Sequence, residues 1–223
     1  MSGKRVAVVL SGCGVFDGSE IHEATLSLLA LDRRGAGMVL AAPDIPQTRV
    51  HDHGLGQDVP GEVRNVRTEA ARIARGPVRA VKDLRLEELD AVLIPGGYGA
   101  ALNLSSLARD GAAMTLEPTL ARFLGEARKA GKALGALCIA PPILAKVFHD
   151  AGIRGVRLTI GNDPGTASVI EALGQVHVPC PATSFVADEA HRVVTSPAYM
   201  LAGGIAELWT GIDAAVGALL DMA

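Results

Sequence analysis

Short apolar runs that stop at glycine-rich turns and hand over to helices constrain this chain more than any other feature. Residues 5–10 are apolar after Arg5 and end at Ser11-Gly12-Cys13-Gly14. Residues 90–94 end at Pro95-Gly96-Gly97-Tyr98-Gly99, and residues 133–137 end at Cys138. Runs this short, without polar alternation, suit strands buried on both faces, as in parallel sheets covered by helices. Between the first two strands, Ile21, Ala24, Leu28 and Leu31 recur at helical spacing. Asp17 or Ser19 is placed to cap that helix, and Glu20 and Glu23 lie near its start, where the helix dipole favours negative charge. Gly35 marks its end, and residues 38–42 return as a strand, so this is a right-handed βαβ unit with parallel pairing.

The remaining segments continue the pattern. Residues 43–64 hold three prolines and three glycines and read as a loop or small surface hairpin. Helices are expected over 66–75, 116–130, 141–148, 167–173 and 204–222, strands over 90–94, 133–137 and 156–160, and short β-like pieces over 176–195. This order predicts an α/β fold, a doubly wound, mostly parallel sheet with helices on both faces. No compositional break divides the 223 residues, so residues 1–223 are read as one domain. A formal net charge of −3 gives no basis for electrostatic binding of nucleic acid or an anionic membrane. No run of roughly 18 apolar residues is present, and the first apolar run is too short for a signal peptide. A cytoplasmic location is the default expectation.

In open parallel sheets, ligands bind beyond the carboxyl ends of the strands, where the three glycine-rich turns should converge. Cys13, Cys138 and Cys180 are odd in number and widely spaced, which argues against a disulfide framework or structural zinc. Cys138 stands between a strand of small residues and a helix opening at Pro141. Pattern alone leaves two readings equally open: a buried packing residue, or a thiolate stabilised by the helix N-terminus. Gly96 and Gly97 let the main chain approach a ligand and offer amides to an oxyanion. Glu20 and Glu23 are either dipole-favoured surface charges or acids turned into the crevice. His22 is the one histidine beside this cluster. Cys13, on the first turn, is a candidate second thiol. No histidine spacing supports a metal site, and no cofactor is expected.

These segments resemble the ThiJ/PfpI superfamily, most closely its ElbB-like branch, bacterial proteins described as enhancing lycopene (isoprenoid) biosynthesis and as glyoxalases. The resemblance is carried by residues 10–23, by Ile94-Pro95-Gly96-Gly97-Tyr98-Gly99-Ala100 with Asn103-Leu104-Ser105, by Ala136-Leu137-Cys138-Ile139-Ala140-Pro141, by residues 158–161 and by residues 194–200. It implies a flavodoxin-like three-layer sandwich and a homodimer. It matches the superfamily's elbow cysteine to Cys138, the acid that meets the sulfur to Glu23, and the oxyanion amides to Gly97 and Ile139. Peptidase relatives carry a histidine directly after the cysteine, where this chain has Ile139, and Gly161 stands where others have a histidine. A Cys-His triad therefore cannot be assembled from the matched positions, and a Cys-Glu dyad remains. What the resemblance implies is a cofactor-independent, glutathione-independent glyoxalase, a lyase converting a small reactive carbonyl such as methylglyoxal or glyoxal to its 2-hydroxy acid. The alternative is a non-enzymatic thiol redox sensor or partner-binding protein linked to isoprenoid metabolism.

Overall fold

A computed structural model describes residues 3–223. The chain opens with β1 (Arg5–Val9), α1 (Ile21–Arg33) and β2 (Gly37–Ala42), the βαβ unit read from the sequence. Residues 43–64 fold out around a small antiparallel hairpin, β3 (His51–Asp52) and β4 (Gln57–Asp58). The helix α2 (Val66–Ala74) then leads to β5 (Arg79–Ala80), and β6 (Ala91–Ile94) follows. Two single-turn helices, α3 (Gly99–Leu102) and α4 (Leu107–Asp110), precede α5 (Pro118–Lys129). Next come β7 (Ala133–Leu137), α6 (Pro141–Asp150), β8 (Arg157–Leu158), α7 (Pro164–Ala172) and β9 (Val176–His177). The chain closes with β10 (Val186–Asp188), β11 (Val193–Ser196) and α8 (Ile205–Met222).

Seven strands form one sheet in the order β10-β11-β7-β6-β1-β2-β5, parallel throughout except for β10, which runs antiparallel to β11. This is the flavodoxin-like α/β fold expected from the sequence. Side chains of β1 alternate between two cores. Ala7 and Val9 join Leu134, Ala136, Phe123, Leu124 and Phe148 on one face, while Val6 and Val8 join Leu137, Leu31, Ile212 and Leu219 on the other. The period-two geometry of a strand sends neighbours to opposite layers, so uniformly apolar runs are the signature of a sheet covered on both sides. α5, α6 and α7 cover the first face, and α1 and α8 cover the second. Among the described residues, no helix is long and apolar enough to cross a membrane.

The strand read over 156–160 departs from expectation. Only Arg157–Leu158 is a strand, and it pairs in parallel with β9 in a separate two-stranded sheet. The place beside β7 in the main sheet is taken by β11, from the far end of the chain. Periodicity reports that a segment is a buried strand, not which neighbour it pairs with.

The topology fixes where a site can form. From β1 the chain first winds outward through β2 to β5, then returns to lay β6, β7 and β11 on the opposite side. The crevice at this switch point lies outside the carboxyl ends of β1, β6 and β7. The turns that follow these three strands meet there.

Candidate active site

Cys138 follows the last residue of β7 and has φ +58°, in the left-handed region that non-glycine residues seldom enter. Such a residue costs about 1–3 kcal/mol and persists only where its surroundings hold it. The Cys138 amide donates to Ser196 O at the end of β11 (2.9 Å), and the Ala140 amide donates to Leu137 O (2.9 Å). Ala198, beyond β11, is the second left-handed residue of this crevice, with φ +47°. It turns the chain so that the Tyr199 amide donates to Glu23 Oε1 at 3.1 Å.

Glu23 lies in the first turn of α1 and is fully buried. Glu20, rather than the expected Asp17 or Ser19, caps the helix, its Oε2 accepting from the Glu23 amide at 2.7 Å. The Glu20 amide in turn donates to Gly96 O (2.9 Å), which ties the start of α1 to the turn after β6. Gly96 leaves room for the pair: a Cβ there would collide with Cys138 Cβ and lie 2.5 Å from Glu23 Oε2 and 3.0 Å from Cys138 Sγ. Acid and thiol therefore flank one point against the Gly96 main chain. Glu23 Oε2 has no well-formed hydrogen bond to nitrogen or oxygen. Its electrostatic partners are the Cys138 thiol and, more weakly, the Gly96 amide.

The charges follow from this enclosure. Burial raises the Glu23 carboxyl to about 7; the Tyr199 amide opposes the shift and the Glu20 charge adds to it. Burial, then the Glu23 charge, pushes the Cys138 thiol well above the ordinary thiol value, while the Gly97 and Ile139 amides that face the sulfur pull it back. Of the two readings the pattern left open, this speaks against a thiolate stabilised by the helix N-terminus. The first two positions of α6 are Pro141 and Pro142, which have no N–H, and the Ile143 amide is already bonded to Ala140 O. Little of the helix end is left to face the sulfur.

Gly97 has φ +99°, and a Cβ on it would strike Gly18 O and Glu20 N, so glycine is required there by space and conformation alike. His22 sits at the mouth, exposed, its Nδ1 2.9 Å from the Tyr199 hydroxyl and 4.0 Å from Glu20 Oε1. Cys13 is a free, half-buried thiol raised by burial and then by Glu69, with Arg72 opposing, so its electrostatic surroundings lie toward α2. Glu20 as cap, Tyr199 as amide donor and Ser196 as carbonyl acceptor were not singled out from the sequence. The signal available was the end of β11, a further parallel strand opening into the same crevice.

No family model matches the chain. Curated relatives do. It is 44% identical over 227 residues to the human glutamine amidotransferase-like class 1 domain-containing protein 3, mitochondrial, covering 98% of this chain and 83% of that protein. It is 42% identical to the rat ES1 protein homolog, mitochondrial, covering 98% and 84%. Among solved structures, the Ehrlichia chaffeensis isoprenoid biosynthesis protein with amidotransferase-like domain superposes with a TM-score of 0.89 at 38% identity, covering 98% of this chain and all of that one. Drosophila melanogaster DJ-1beta, at 17% identity and a TM-score of 0.56 over 99% and 96% of the two chains, shares the fold. The mitochondrial names of the relatives do not fit the plainly cytoplasmic location expected above; composition and charge do not distinguish the two compartments. The chain belongs to the family of glutamine amidotransferase-like class 1 domain and ES1 proteins, on the fold shared with DJ-1/ThiJ/PfpI proteins.

Proposed function

We propose that this chain is a glutathione-independent glyoxalase of the ElbB-like type, converting methylglyoxal or glyoxal and water to the 2-hydroxy acid with Cys138 as nucleophile and Glu23 as acid and base. The observation that carries the reading is Glu23 itself: a fully buried carboxyl against the thiol, poised at about 7. A group that must accept and return a proton at ambient pH works best with its pKa there. The raised thiol favours an attack in which the proton leaves sulfur as the new bond forms. Sulfur attacks the aldehyde carbon as its proton passes to the Glu23 carboxylate, and that proton goes on to the carbonyl oxygen, leaving a hemithioacetal. Glu23 then removes the hydrogen from the first carbon, forming an enediolate, and returns it to the second carbon as the hydroxyl proton of the first carbon passes to the oxygen of the second. The first carbon becomes a thioester carbonyl. Water adds to it, the carbon–sulfur bond breaks, and the thiol is restored with the hydroxy acid. The Gly97 and Ile139 amides, which face the sulfur, would meet the oxyanion in the first and last steps.

A redox-sensing role would use the same two residues. Cys138 is 8% exposed and its thiol is held high, both of which disfavour the exposed thiolate that peroxide oxidises. Support for a connection with isoprenoid metabolism is the name of the Ehrlichia protein. A homodimer belongs to the same reading, and light scattering that returns the mass of a single chain would remove it. The activity is tested by lactate formation from methylglyoxal without glutathione. Wild type is expected to form lactate and Cys138→Ala to form none; full activity in Cys138→Ala would end the proposal.

A further inference from the structure

Resting on that reading of Cys138, we infer that the hollow beside Ile139 and Tyr98 holds the substituent of the substrate, and that this substituent is apolar and larger than a methyl group. The hollow measures about 220 Å³ and lies between α3, α4 and the start of α7. Ile139 forms part of its wall while its amide faces the sulfur, so one residue borders both the reacting atom and the hollow. Tyr98 forms another part and directly follows Gly97, the second amide facing the sulfur. The Arg49 guanidinium stacks 5.5 Å from the centre of the Tyr98 ring and holds it in place. Leu107, Ala108, Thr166 and Val169 are also part of the wall, and no lining residue carries a charge. A carboxylate or phosphate on the substituent would find no charged lining residue to pair with.

Size separates the substrates. An apolar cavity of ~150 Å³ is enough to take up benzene. Glyoxal places only a hydrogen on the second carbon and methylglyoxal a methyl group, and both leave most of the space to water. The ring of phenylglyoxal would occupy most of it. Larger hollows elsewhere, such as one of about 470 Å³ against Lys4, Arg34 and Gly217, touch no residue of the thiol site.

The test compares kcat/KM for 2-hydroxy acid formation from glyoxal and from phenylglyoxal, without glutathione, in wild type and in Ala108→Trp. Ala108 is exposed on α4, so a larger side chain can occupy the hollow without entering either core. Phenylglyoxal is expected to exceed glyoxal by roughly tenfold or more in wild type, the discrimination that a few carbon atoms in an apolar pocket supply. Ala108→Trp is expected to remove most of that advantage, lowering kcat/KM for phenylglyoxal far more than for glyoxal. Val169→Ala, which widens the wall, is expected to keep the preference. Equal values for the two substrates in wild type, or a parallel loss for both in Ala108→Trp, would overturn the subsite and leave the glyoxalase reading standing. Conversion of neither substrate by wild type would overturn both.

Discussion

Glu23 gives the account its quantitative handle. Its folded-state pKa, about 7, lies above the ordinary value of 4.5. The sign follows from linkage: a carboxyl raised by folding leaves stability intact below its unfolded pKa and costs stability as pH rises toward the folded value. Glu23→Gln keeps an oxygen for the Tyr199 amide and removes the buried charge. It is expected to stabilise the fold by about 3 kcal/mol at pH 8, with the gain fading toward pH 4. Urea denaturation at the two pH values measures this, and a stability difference independent of pH would contradict the raised carboxyl. Gly96 gives a steric counterpart. Gly96→Ala places a methyl group where Cys138 and Glu23 Oε2 already stand. Activity is expected to fall by about a hundredfold or more, because displacements near 1 Å at reacting atoms cost that much. Circular dichroism should remain native, and retained activity would show that acid and thiol do not meet there.

At the scale of elements, the start of α1 and the start of α6 explain why the site was partly legible. The turns after β1, β6 and β7 could be read because glycine in the first two and proline in the third punctuate a chain for local steric reasons. Cys138 and Glu23 could be matched because each stands at a fixed offset from such a turn. Other features are not local. Glu20 displaced Asp17 and Ser19 as cap because its amide is anchored to Gly96 O, from a loop far along the chain. The Tyr199 amide reaches Glu23 only through the turn at Ala198. Pro141 was read as a favourable first residue of α6, but with Pro142 it removes the amides that a thiolate would need. The cap also makes a testable link: the Glu20 charge raises Glu23. Glu20→Gln can still accept from the Glu23 amide but removes that charge. The midpoint of the pH–rate profile should therefore move to lower pH; a shift upward would contradict the assigned coupling.

For the whole molecule, the doubly wound order was legible because uniformly apolar runs require cover on both faces. The strand partners of residues 156–196 were not, since the pattern of a short strand does not name its neighbour and only tertiary packing decides whether β8 or β11 joins β7. β5, α3 and α4 span about one period each, too little for a repeating pattern to show in the sequence. The end of the chain holds the site from behind. α8 packs on α1, β7 and β11, and a Cβ on Gly211 would strike Ala182 O and come within 3.4 Å of Ser196 Oγ. Gly211→Ala gains up to about 1 kcal/mol of helix propensity but forces α8 away from this contact. A net loss of about 1–3 kcal/mol is expected in urea denaturation. A gain in stability would show that α8 does not approach so closely.

The dyad is tested most directly by the pH dependence of kcat/KM for glutathione-free 2-hydroxy acid formation in wild type, Cys138→Ala and Glu23→Gln. Glu23 must be ionised to take the thiol proton, so the wild-type rate should rise with pH through an inflection near 7, the value set by its burial. Cys138→Ala should form no product at any pH, and Glu23→Gln should lose about a hundredfold or more together with the inflection. Turnover surviving in Cys138→Ala, or an unchanged inflection in Glu23→Gln, would contradict the account.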